Sequence, residues 1–178
     1  MKWNRYLTVA AFLFGIVIAN VWGKELLTTY GILNTFFLKQ YAYANINYDR
    51  LLYRLLWVRG KEAAAVLILT KVFRAKAVLL FLECLLAVTF GILLVVAITN
   101  LGLRGIFMVL SGIFPQWLFY LAAIAIFFSA RIKRETYSGK NIPEVIAECA
   151  FTLLFFLAGI LLEVYISPVL WQYILKKF

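Results

Sequence analysis

Histidine is absent from this chain of 178 residues, which removes imidazole metal sites and every His-dependent catalytic dyad or triad. The only two cysteines, Cys84 and Cys149, form no CxxC pair and sit inside apolar runs. A disulfide framework is therefore not expected, and each reads first as a small buried residue. No Walker A sequence, GxSxG or HExxH occurs, and no aspartate falls within an apolar run. Enzymatic activity is not expected, and no cofactor or metal is implied. Acids are scarce as well, with 8 Asp and Glu against 18 Lys and Arg, for a net charge of +10. In a soluble protein that excess would suggest nucleic acid. Here the basic residues gather at the ends of apolar runs, where the positive-inside rule and anionic headgroups account for them.

What the chain has in abundance is apolar length. It is 65% hydrophobic, above the roughly 45–50% of a soluble domain. The excess lies in long runs rather than being spread over a globular core, so the expected fold is an all-α, polytopic integral membrane protein. One membrane domain is expected over 1–178, with about five spans at 6–22, 55–73, 77–98, 106–130 and 145–166. The first could pass for a signal peptide, but its apolar run is longer than an h-region and no small-x-small site follows. Residues 55–73 are the weak case. Their apolar core, Ala63 to Thr70, is too short alone and crosses only if Arg59, Lys61 and Lys71 snorkel to the two interfaces. With five spans, Lys/Arg placement favours a cytoplasmic N-terminus and an outside C-terminus. A re-entrant 63–73 would reverse every later loop.

Between the first two spans lies an amphipathic outer segment, 24–54. Leu26, Tyr30, Leu33, Phe37 and Tyr41 share one helical face, as either a lid on the interface or a docking surface for an extracytoplasmic partner. Turn-prone residues follow, and Asn47 or Asp49 is placed to cap the next helix.

Three glutamates lie in apolar surroundings: Glu83, Glu148 and Glu163. Each costs at least ~2.5–3.5 kcal/mol at the centre of a bilayer unless it faces protein or water. Glu83 and Glu148 are each followed by Cys and, later, by Gly-Ile-Leu-Leu. A degenerate internal repeat, a shared cation or proton, and pairing with Lys76, Arg131 or Lys133 are all open. Glu163 lies about 22 Å beyond Glu148 along one helix, which argues against a proton relay between them. Pro115, in the run Gly112-Ile-Phe-Pro-Gln116-Trp, breaks the fourth apolar stretch. Gln116 is placed to satisfy a carbonyl freed by that break.

Two segments resemble one family. Ser111-Gly-Ile-Phe-Pro-Gln-Trp-Leu-Phe-Tyr120, after the turn Gly102-Leu-Arg-Gly105, and Ala158-Gly-Ile-Leu-Leu-Glu-Val-Tyr-Ile-Ser-Pro168 resemble the stage II sporulation protein M family of spore-forming Firmicutes. Gly31-Ile-Leu-Asn-Thr-Phe-Phe-Leu38 fits its clostridial-type members. The matching residues are Gly112, Glu163 and Pro168. The His-Gly-acid of many members is replaced here, so no role of that His carries over. The resemblance implies a five-span scaffold at the sporulation septum or engulfing membrane that localises peptidoglycan hydrolases of the stage II sporulation D and P type. Glu163 would fix the packing of the last helix. Membrane lipids and a second copy of the chain complete the expected partners. The competing expectations are a small transporter or permease-like subunit, which could be associated with an ABC transporter, and an accessory or immunity protein.

Overall fold

The computed structural model describes the backbone over residues 2–30, 35–136 and 142–177, and side chains over 5–22, 38–136 and 142–177. Among the described residues there are eight helices and no strand. They are α1 (Lys2–Tyr30), α2 (Thr35–Ala42), α3 (Tyr48–Val72), α4 (Ala75–Leu101), α5 (Leu103–Ile113), α6 (Gln116–Thr136), α7 (Ile142–Tyr165) and α8 (Ser167–Lys177). Four stretches are long and apolar enough to cross a membrane: Arg5–Trp22 in α1, then α4, α6, and Ile142–Lys177, which holds α7 and α8. This is an all-helical membrane protein.

The stretch expected as a Pro-broken span at 106–130 is two helices. α5 stops at Ile113, and α6 begins at Gln116 after a cis Phe114–Pro115 bond. Proline supplies no N–H and disfavours helix in the residue before it, so the helix ends there. At 11 residues, α5 is about 16 Å long, too short to cross alone. The crossing-length helix is α6. α3 has 25 residues but carries Arg59, Lys61, Glu62 and Lys71 in its apolar half, so it is not among the four. The helix begins where expected. Asn47 is its N-cap, and the side chain accepts from the Arg50 N–H at 3.1 Å. Asn47→Ala should cost ~1 kcal/mol, read as a shift in thermal unfolding in detergent.

The chain folds as two compact units. One takes in residues 1–45, 80–112 and 169–178. Within it α1 and α4 cross at glycines. A Cβ on Gly91 would lie 2.6 Å from the Phe12 carbonyl oxygen, and one on Gly15 would strike the Val88 carbonyl. Phe12 and Phe90 meet beside this crossing, ring centroids 6.2 Å apart. Gly102, at φ +60°, ends α4 in the left-handed region and donates its N–H to Ile98 at 2.8 Å. The chain then folds α5 back, with Gly105 against the Ala97 carbonyl.

α8 closes this unit. The Trp171 indole covers Gly112 and meets the Tyr41 ring edge-on at 6.1 Å. The Gln172 amide donates to the carbonyls of Ala44 (2.8 Å) and Tyr41 (3.3 Å), the second of which also accepts from the Ala44 N–H at 3.2 Å. Of the expected amphipathic face, Tyr41 is thus half-buried under α8. Leu26 and Tyr30 fall on the α1 backbone and Phe37 on α2. Their side chains, and Leu33 altogether, lie outside the described residues.

The second unit takes in residues 46–79 and 113–168. α6 and α7 run antiparallel: Tyr120 meets Phe156 and Gly159, and fourteen residues further along α6 Arg134 meets Glu148. α3 lies alongside both. Arg59 reaches Glu163 at one end, and the Thr70 carbonyl accepts from Arg131 at the other. α3 therefore runs parallel to α6 and antiparallel to α7.

Candidate functional site

The densest polar cluster of the second unit centres on Glu163, in the last turn of α7. Its carboxylate accepts from Arg59 Nη2 at 2.6 Å, from Arg59 Nε at 3.1 Å, and from the Tyr120 hydroxyl at 2.6 Å. The two guanidinium bonds form the fork-to-fork arrangement that makes Arg–carboxylate pairs strong and directional. The remaining Arg59 nitrogen, Nη1, donates to Glu62 one turn along α3, at 2.8 Å. The Glu163 side chain is only 16% exposed and that of Arg59 29%. This level of α3 also carries exposed Trp57, with the Lys61 ammonium 4.6 Å from its ring centroid, the aromatic and snorkelling-lysine pairing of a membrane interface.

Gly159 makes the site possible. It lies one helical turn before Glu163, and a Cβ there would come within 2.7 Å of Tyr120 Cε1. The ring of Tyr120 therefore lies flat on bare α7 backbone while its hydroxyl reaches the carboxylate. The Arg59 guanidinium carbon stands 5.4 Å from the same ring's centroid. Three helices meet through one acid, one base and one phenol, all with hydrogen-bond partners. Such a set is an anchor: both carboxylate oxygens, the phenol hydroxyl and all three guanidinium nitrogens have protein partners.

The companion motif residues fall nearby. Gln116, 5% exposed at the start of α6, accepts from the Ser167 hydroxyl, which opens α8 just before buried Pro168. Pro115 precedes Gln116, and its carbonyl accepts from Leu118 N. Through its Oε1, Gln116 thus holds a partner from another helix. Gly112 belongs to the other unit, where it seats Trp171.

The far end of the α3–α6–α7 bundle is tied by a second set of charges. Arg134 donates to Glu148 at 2.5 Å. The expected helpers of Glu148 were Lys76, Arg131 and Lys133; the partner is Arg134, which stands fourteen residues before it. Arg131 serves the Thr70 carbonyl at 3.1 Å, and Glu135 accepts the Ala75 N–H at 2.9 Å. One turn of α6 thus places a cation on the C-terminus of α3 and an anion on the N-terminus of α4, matching both helix dipoles.

Glu83 differs. It is exposed on α4 and has no hydrogen bond or ion pair among the described residues. Glu83 and Glu148, alike in local sequence, therefore have unlike surroundings. Cys149 is exposed and Cys84 half-buried, and both are free thiols. Arg59 and Tyr120 were not singled out as site residues. No protein family, curated protein or solved structure matches this chain.

Proposed function

We propose that the chain is a non-enzymatic membrane scaffold, acting by holding partner proteins in place. The observation that carries this reading is the Glu163–Arg59–Tyr120 anchor. The least exposed acid of the second unit is held by side chains from two other helices, which ties the bundle together and commits this acid to packing. Glu148 is likewise committed to Arg134. In this reading α3 is a fifth, short crossing beside α6, the N-terminus is cytoplasmic, and the outer segment 24–54 presents the docking face. The resemblance around Gly112, Glu163 and Pro168 supplies the partner class: peptidoglycan hydrolases of the stage II sporulation D and P type at the septal or engulfing membrane.

A second reading, a small transporter subunit, is favoured by the α5–α6 break at Pro115 and by unpaired Glu83. The test is crosslinking in the sporulating native host, followed by affinity purification. Cell-wall hydrolases should be recovered. Recovery of an ATPase or transport subunits without hydrolase would overturn the scaffold. The double variant Glu83→Gln/Glu148→Gln adds a discriminator. A scaffold should retain its captured partners within about twofold, because Gln is nearly isosteric with Glu and its amide oxygen can still accept from Arg134. A permease that uses these acids would lose transport while staying folded.

A further inference from the structure

The turn joining α3 to α4 carries a combination that no packing role explains. Val72 and Phe73 at its tip are 70% and 57% exposed. Lys71, Arg74 and Lys76 flank them, all exposed and without a partner among the described residues. The acids of this end are committed: Glu135 to the Ala75 N–H, Glu148 to Arg134, and Glu144 to another contact. Among the described residues none of these acids makes an ion pair with the three cations, which outnumber the one carboxylate held at the turn, Glu135. Its backbone is also held. Thr70 and Ala75, on either side, are 3% and 0% exposed and are gripped by Arg131 and Glu135 from α6.

The level of the turn identifies what it faces. α3 turns from apolar to charged at Lys71, α4 from charged to apolar after Lys76, α6 from apolar to charged at Arg131, and α7 becomes apolar from Val145. All four change character at the same end, as helices do at the headgroup layer. An apolar pair ringed by cations at that level matches a lipid with buried tails and a negative headgroup.

We propose that the Lys71–Lys76 turn is a binding site for an anionic phospholipid, with Lys71, Arg74 and Lys76 on the headgroup phosphate and Val72 and Phe73 against the upper acyl chain. The purified full chain is equilibrated in detergent with equal amounts of phosphatidylglycerol and phosphatidylcholine of identical chains, and native mass spectrometry reads the lipid retained. The parent should retain phosphatidylglycerol about tenfold or more over phosphatidylcholine, since each basic residue near an anionic headgroup is worth roughly a fivefold preference. Lys71→Gln/Arg74→Gln/Lys76→Gln should bring that ratio close to one. Lys71→Arg/Lys76→Arg, which keeps the charge, should preserve it. Equal retention of the two lipids by the parent would overturn the proposal, and so would an unchanged preference in the triple Gln variant. Displacement of the lipid by 10 mM inorganic phosphate, beyond that of a chloride control of equal ionic strength, would also overturn it, marking a free-anion site instead.

Discussion

Glu163→Ala should cost ~2–3 kcal/mol of stability. Breaking a buried ion pair from one side costs ~3–5 kcal/mol, because the remaining charge keeps its desolvation penalty and loses its compensation. Two features reduce the figure here. Arg59 is 29% exposed, and it keeps Glu62 at 2.8 Å. The Tyr120 hydroxyl loses its acceptor at the same time. Replacing both charges, as Arg59→Leu/Glu163→Leu, should recover most of the loss, since an apolar pair of similar volume has nothing to desolvate. Equilibrium unfolding in mixed micelles of Arg59→Leu, Glu163→Leu and the double variant closes the cycle. A coupling energy near zero would show that the anchor contributes geometry without stability. An E163A variant as stable as the parent would remove the anchor from the account altogether.

Two glycine-to-alanine changes should move stability in opposite directions. At Gly15 a Cβ would meet the Val88 carbonyl, while across the same crossing Gly91 faces the Phe12 carbonyl. Neither obstacle is a side chain that can rotate away, so the two helices must separate. Close backbone approach is a main source of helix association in lipid, where no hydrophobic difference drives it. Gly15→Ala should therefore lose ~1–3 kcal/mol, the usual cost of overpacking. Gly60, inside α3, has nothing within 4 Å of its would-be Cβ. Gly60→Ala should gain ~0.5–1 kcal/mol by reducing the freedom of the unfolded chain and improving helix propensity. The two midpoints measured side by side decide the matter. Destabilisation by both, to the same extent, would rule out the close crossing as the cause at Gly15.

The helical, membrane-embedded class could be read from the apolar runs, because a bilayer imposes length and hydropathy on every crossing segment. The break at Pro115 was also legible, since it is a local covalent effect. What the sequence hid were partners distant in the chain. Glu163 stood out as an acid in an apolar run, but Arg59 lies 104 residues before it and Tyr120 43 residues before it. Nothing local in either marks it as the complement. Arg59 read most simply as a snorkelling cation, and on its outer side its neighbour Lys61 has that character. Glu148 was expected to find a basic partner and did, at Arg134 rather than at the three residues nearest in expectation. Such choices depend on helix rotation, which one or two residues of phase decide. Gly159 was noticed for its place in a motif, whereas its role as the floor beneath the Tyr120 ring needs the third dimension.

The rungs that tie α3 to α6 have a mechanical meaning for the surrounding lipid. Arg59 and Tyr120 share one rung with Glu163; Thr70 and Arg131 share the other. On each helix the interval is eleven residues, about 16 Å of rise, roughly half the ~30 Å of a typical hydrocarbon layer. In the proposed arrangement, with α3 as a fifth and short crossing, polar rows held that close would form a spacer shorter than the hydrocarbon layer, and the lipid beside α3 would compress toward it at a fraction of a kcal/mol per Å of mismatch. The side of the bundle that carries α3 would then be a local thin spot in the bilayer, set by two hydrogen-bonded rows.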